Sequence, residues 1–305
     1  MRAAQQTDPQ ARRNRLVVAA GAASVLVAVV LTLLKLWAWR VTESVALLSS
    51  MADSLLDLMA SLITFFAVRV AITPPDHEHR FGHGKSEAVA GLVQSMIVAA
   101  SAVFVAVQAV SRLLAPHAIS EPDVGYVVTG VSLVLTAALV TFQKLVIRRT
   151  RSVAVGADSV HYQADVLTNV AVLAAIFLSS RFGWYTADPI LALAIVVVIL
   201  WSVRTIVLQA LDILLDRELP TELRRSIKEI AARVTGVRGV HDVRTRSAGN
   251  MQFIQLHLEV DAALTLGAAH EIAYEVEQRV RAEFPAAEVL IHVDPYGIDE
   301  PRDPF

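Results

Sequence analysis

Six apolar runs, each long enough to cross the hydrocarbon of a bilayer, occupy the first two thirds of this chain, at about 14–38, 45–71, 86–114, 124–147, 153–179 and 187–210. A membrane helix needs roughly 20 apolar residues to span about 30 Å. Hydrophobic residues make up 55% of the 305 and charged residues only 18%. A water-soluble domain cannot hide that much apolar surface, so the pattern predicts a helical membrane protein. The first run is preceded by basic residues, "MRAAQQTDPQARRNRLVVAAG", as in a signal peptide. It continues from Leu16 to Trp39 without a clean cleavage site, which predicts a retained span. Net charge is −2, so there is no global basic field for nucleic acid. The absence of cysteine removes disulfides, thiolate metal sites and cysteine nucleophiles. Any soft or borderline metal must be held by histidine and carboxylate.

The charges between the runs are unequal. Arg12, Arg13 and Arg15 precede the first, Arg69, Arg80 and Lys85 flank the 2–3 loop, and Lys144, Arg148, Arg149 and Arg151 crowd the 4–5 loop. The opposite loops hold only Arg40, Arg112 and Arg181. The positive-inside rule then places both termini in the cytoplasm. Trp37, Trp39, Trp184 and Tyr185 fall at the outer ends, where interfacial aromatics belong.

Beyond residue 210 the character changes. "PTELRRSIKEIAARVTG" spaces Leu223, Ile227, Ile230 and Val234 as a helix does. "GVHDVRTR" reads as a strand. "MQFIQLHLEVD" alternates, with Ile254, Leu256, Leu258 and Val260 on one face and Gln255, His257 and Glu259 on the other. A second helix follows, with Ile272, Val276 and Val280 inward. The last strand, "AEVLIHVDPYG", turns Val289, Ile291 and Val293 to a core and His292 and Asp294 away from it. The expected organisation is an N-terminal segment 1–13, a six-helix membrane domain 14–210, an αββαβ domain 211–296 and a disordered tail 297–305.

Charged groups inside a membrane span are costly and usually face a functional partner. The second run carries Asp53 and Asp57 four residues apart, and the fifth carries His161 and Asp165 at the same spacing. Residues four apart share one helix face. Counted from their own membrane ends, both pairs lie 9 to 13 residues deep, which at about 1.5 Å per residue is mid-bilayer. Three carboxylates and one imidazole at a common level suit a tetrahedral divalent cation, zinc above all, with cadmium and ferrous iron next. Asp158 falls near the cytoplasmic end of its helix, where solvation accounts for it. Ligands must shed protons to bind metal, so such a site exchanges metal for protons, with His161 titrating nearest physiological pH.

Other histidines cluster. "PPDHEHRFGHGKSE" holds Asp76, His77, His79 and His83 in one short loop, a metal-binding cue. In the C-terminal domain His257 and His292 lie on non-core faces, Asp294 is two beyond His292, and His241 and His270 open a strand and a helix. Together they suggest a metal cluster.

The stretches "ADSLLDLMASL", "HRFGHGKSE", "HYQADVLTN", "LLDRELP", "GVHDVRTRSAGNMQFIQLHLEV" and "VLIHVDP" resemble the cation diffusion facilitator family, in particular its bacterial zinc and ferrous-iron efflux branch. The likeness runs over about residues 14–296. It implies a transport site of Asp53, Asp57, His161 and Asp165. It implies a loop site of Asp76, His79 and His83, without His77, and a cytoplasmic two-metal site of His241, His257, His270, His292 and Asp294. Val293 stands where relatives can carry a polar side chain. The resemblance further implies a homodimer in the inner membrane, with alternating access and a metal-responsive cytoplasmic domain. Lys85 and Asp216 match an interlocking salt bridge, and both fall at expected cytoplasmic membrane edges. The expected activity is proton-coupled export of divalent metal, with zinc as both substrate and regulatory ligand. An intramembrane metalloenzyme is disfavoured because "HEIAY" at His270 breaks HExxH and four protein ligands leave no open position for water. A non-transporting membrane metal sensor is the other alternative.

Overall fold

A computed structural model describes residues 9–42, 45–114, 123–182, 184 and 186–298. Residues 1–8, Tyr185 and most of the expected tail, 299–305, lie outside the described residues. The chain divides into two compact units, Met1–Leu211 and Asp212–Phe305.

The first unit consists of six long helices: α1 (Pro9–Thr42), α2 (Val45–Ala71), α3 (Ser86–Leu114), α4 (Asp123–Thr150), α5 (Val153–Phe182) and α6 (Ala187–Leu214). Several run past the apolar stretches that mark them in the sequence. A helix needs only backbone hydrogen bonds to continue, and the polar ends Pro9–Arg15 and Lys144–Thr150 extend α1 and α4 without interrupting them. Side chains such as Leu26, Val107, Val197 and Trp201 are exposed on the outside of the unit. That apolar exterior fits hydrocarbon, not water. The seams between helices use small residues instead: Ala20, Ser24, Ala28, Ala60, Ser61 and Ala154 are all buried. Small side chains let helix backbones approach closely where lipid supplies no hydrophobic drive.

Five of the six helices, α1, α2, α3, α4 and α6, are long and apolar enough to cross a membrane by length and composition. Among the described residues, the exception is α5. It packs against α1, α2, α3 and α4 and, through Val160 and Ala164, against the Val196–Ile199–Val203 stripe of α6. In the first half of α5, residues 153–159 are buried among other helices, so that stretch is free to carry polar groups, while Leu167, Val170, Leu173 and Phe177 further along are exposed. It is the helix that holds Asp158, Ser159, His161, Gln163 and Asp165.

The second unit is a three-stranded sheet backed by two helices: α7 (Thr221–Ala232), β1 (Val237–Ala248), β2 (Met251–Val260), α8 (Leu266–Glu283) and β3 (Ala287–Pro295). The sheet order is β1-β2-β3, antiparallel between β1 and β2 and parallel between β2 and β3. The parallel pair requires a crossover, which α8 provides. Thr265 caps α8, its side chain accepting from the Ala268 backbone N–H. Gly236 turns the chain from α7 into β1 at φ +95°, and a Cβ there would meet Ile272 Cδ1 at 2.6 Å. Ile227 and Val234 join Ile254, Leu256, Leu258, Val276 and Val280 in one core. Leu223, expected inward, is 36% exposed in the first turn of α7.

Leu258 is fully buried in this core. Leu258→Ala should destabilise the second unit by about 2–5 kcal/mol, read as a lower urea midpoint with faster amide exchange in β2 and α8.

Candidate metal centres

Among the described residues, three groups of histidine and carboxylate bring their ligand atoms within 4.8 Å of one another: Asp57–His161–Asp165, Asp76–His79–His83 and His241–His257–Asp294.

The first lies between α2 and α5. Asp57 stands midway along α2, and His161 and Asp165 occupy one face of α5 a turn apart. His161 Nε2 is 2.9 Å from Asp57 Oδ1 and 4.0 Å from Asp165 Oδ2. His161 is buried and the two carboxylates are half-buried. Asp53, expected as the fourth member, stands outside the group and is exposed. It is one turn from Asp57, about 6 Å along the helix axis. Its neighbour Ser54 is buried against α1. There Lys35 Nζ donates to Ser54 Oγ at 2.6 Å, and Thr32 Oγ1 donates to the Ser54 carbonyl at 3.2 Å. Sequence reasoning passed over Lys35. An ionisable residue inside an apolar run was the available signal.

Asp158 corrects an expectation. Solvation does not account for it, because it is only 1% exposed. Its Oδ2 accepts from Ser24 Oγ at 2.6 Å and from Gln143 Nε2 at 2.8 Å. Tyr162, beside it on α5, shares a 2.8 Å hydrogen bond with Ser61 on α2 and donates to the Ser24 carbonyl at 3.3 Å. One turn before His161, this network ties α5 to α1, α2 and α4. The helix inside the bundle buries its polar face, and buried polar groups require partners.

The second group lies in the connection from α2 to α3. Asp76 Oδ1 accepts from the backbone N–H of Glu78 at 3.0 Å and of His79 at 2.6 Å. Those bonds, the His79 amide first, hold its carboxyl below the usual aspartate range. Gly82 adopts φ +78°, folding the loop so that His83 Nε2 returns to 3.3 Å from Asp76 Oδ2. The His79 and His83 rings are 4.6 Å apart. His77 is exposed and outside the group.

The third group is built by strand register. His241 pairs with His257 across β1–β2, and His257 pairs with His292 across β2–β3. Three imidazoles therefore form a row over the sheet face opposite the helices, with ring centroids 5.2 and 4.8 Å apart. Asp294 reaches back under the row. It lies 2.9 Å from His257 Nδ1, 3.5 Å from His241 Nε2 and 3.1 Å from His292 Nε2. The imidazoles cover it, so a carboxylate on the non-core face is nevertheless only 6% exposed. A register shift follows His241, with Asp242 at φ +44°; such a bulge re-aims the adjoining side chain. His270 is exposed on α8 and is not brought to this group. Glu259, whose role the sequence did not reveal, lies 3.2 Å from His241 Nδ1. Gly239 opposite it makes room, since a Cβ there would collide with the Glu259 carboxylate. Lys85 and Asp216 belong to different units. Within its own unit Asp216 lies 3.4 Å from Arg246 Nη1.

Residues 22–215 match the model of the cation efflux transmembrane domain, and residues 219–296 that of the cation efflux protein cytoplasmic domain. The chain belongs to the cation-efflux, or cation diffusion facilitator, family. It is 47% identical over 285 residues to the cation-efflux pump FieF of Cronobacter sakazakii, and 45% identical over 285 residues to that of Citrobacter koseri. Each alignment covers 93% of this chain and 95% of the relative. A solved MamM C-terminal domain, a nickel form, is 30% identical, covers 25% of this chain and 98% of its own, and superposes with a TM-score of 0.24. The relatives are transporters, not enzymes. The fold class is a helical transmembrane domain followed by a small cytoplasmic α/β domain.

The Asp76 turn has a signed pH dependence. Its carboxyl titrates below the unfolded value, so its support is present above the ordinary aspartate pKa of about 3.9. That support is lost as pH falls through the lowered value. The backbone amide resonances of Glu78 and His79 should shift together with a midpoint under about 3.9; a midpoint at or above it would contradict the turn described.

Proposed function

We propose that this chain is a proton-coupled antiporter that exports divalent metal cations from the cytoplasm, zinc first, with cadmium and ferrous iron as further substrates. The observation that carries the reading is the Asp57–His161–Asp165 group, three donors from two helices inside an apolar bundle. Nitrogen and oxygen donors without thiolate suit a borderline divalent cation. Asp53, one turn along α2, is the fourth ligand in the loaded state. α5 is a sixth membrane span, its first half packed among its neighbours and its second half carrying exposed apolar side chains such as Val170 and Phe177.

Coupling follows from the ligands. A carboxylate or imidazole binds metal only after losing its proton, so metal and protons compete for the same atoms. Metal enters from the cytoplasm, displaces protons, and leaves outward when the helices rock to the alternate face. Both termini lie in the cytoplasm, as the basic loops at Arg69, Lys85, Arg148, Arg149 and Arg151 indicate, and the membrane is the bacterial inner membrane. The protein works as a homodimer. Zinc at His241, His257, His292 and Asp294 regulates it, with His270 joining after a local movement of α8, and a Lys85–Asp216 bridge joins the two domains. Asp76, His79 and His83 form a loop site for the same class of ion.

Asp57→Ala in proteoliposomes should abolish zinc-driven proton movement while the dimer still forms; flux at the parent rate would refute the transport site. His161→Asp replaces the borderline nitrogen donor with a hard oxygen. The zinc-to-manganese flux ratio should fall by about tenfold, and an unchanged ratio would remove His161 as selector.

A further inference from the structure

Lys35 is a cation inside the first apolar helix, seven residues short of its end at Thr42. A lysine stranded in a membrane helix normally snorkels, running its ammonium to the interface. This one is anchored instead. Its Nζ donates to Ser54 Oγ at 2.6 Å, and Ser54 is 1% exposed. One turn earlier on the same face of α1, Thr32 Oγ1 donates to the carbonyl of that same Ser54. Two side chains of α1 therefore clamp one residue of α2, and Ser54 is the immediate neighbour of Asp53.

We propose that Lys35 is a tethered counter-cation of the metal site and sets the charge its cargo must carry. The inference rests on the transport site proposed above. Asp53, Asp57 and Asp165 contribute three negative charges when ionised, and a neutral His161 contributes none. With the fixed ammonium of Lys35 the site holds two uncompensated negative charges, which one divalent cation neutralises. A monovalent cation leaves one charge uncompensated in a low-dielectric interior, and a trivalent cation overshoots. Electroneutrality thus selects for charge, while the nitrogen and oxygen donors select among divalent ions. The ammonium also repels the cargo, which keeps the loaded state from becoming too tight to release.

A positive charge held at Ser54, next to Asp53, opposes the binding of a cation there at the effective dielectric of a protein. Removing it must tighten binding. The test is equilibrium zinc binding to the full-length protein in nanodiscs at fixed pH and salt. The transport-site isotherm is isolated by subtracting that of the same variant carrying Asp57→Ala. Lys35→Gln keeps a donor for Ser54 but no charge, Lys35→Met keeps neither, and Lys35→Arg keeps both. Gln and Met should each lower the zinc Kd by about tenfold and Arg should stay within about twofold of the parent. In proteoliposomes KM and maximal zinc flux should both fall for Gln, because release becomes slower.

A Gln variant with the parent Kd, alongside an Asp57→Ala control that does remove the isotherm, would overturn the inference and leave Lys35 a helix clamp. A Met variant that binds more weakly while Gln matches the parent would do the same. If Asp57→Ala removes no binding, the transport site itself is wrong and the counter-cation falls with it. Tightening in Gln with rescue in Arg supports the proposal even if Met fails to fold.

Discussion

The bundle is organised around one polar contact, His161 of α5 against Asp57 of α2 at 2.9 Å. Neither group belongs in hydrocarbon, and each removes part of the other's reason to reach for water. Their meeting requires the first half of α5 to lie among other helices, and residues 153–159 are buried. The helix is packed on by α1, α2, α3 and α4, and Ala154, Val155, Ala157 and Ser159 of its first turns are buried. The same requirement accounts for Asp158. A polar helix face turned inward needs partners. Ser24 of α1 and Gln143 of α4 donate to Asp158 Oδ2, and Ser61 of α2 meets Tyr162 of α5, while Asp158 Oδ1 has no hydrogen-bond partner among the described residues. Lys35 meets the same demand from the α1 side, through Ser54.

The C-terminal unit reaches a comparable cluster by different means. In the bundle, ligands come from two helices that pack. In the sheet, they come from three strands in register, with one carboxylate shared among three imidazoles. Burial follows from the arrangement, since Asp294 is shielded by its own partners and not by the hydrophobic core.

Most of this was legible in the sequence because it depends on period and spacing. Membrane helices announce themselves by length, and the alternation in "MQFIQLHLEVD" distinguishes a core face from a histidine face. Two i,i+4 pairs on apolar helices pointed to Asp57, His161 and Asp165. What spacing could not supply was the third dimension. Asp53 shares a face with Asp57, but in this arrangement α2 turns it outward. His270 reads as one more histidine in a histidine-rich domain, yet α8 carries it on an exposed surface. Asp158 looked solvated because distance from a helix end says nothing of what packs around it. Glu259 sits in an alternating strand like any exposed acid; only the register with Gly239 reveals that it leans towards His241.

The parallel pairing of β2 with β3 has an implication for how such a domain can change. Side chains on a strand alternate with a period of two. A single residue inserted or deleted between Val260 and Ala287, if absorbed by sliding β3, would carry His292 and Asp294 to the helix side and drive Val289 and Ile291 into solvent. The histidine–carboxylate cluster and the hydrophobic interior are therefore written on opposite sides of one ribbon. Length variation in the α8 crossover cannot drift one without wrecking the other, which confines viable insertions to segments that leave the phase of β3 intact.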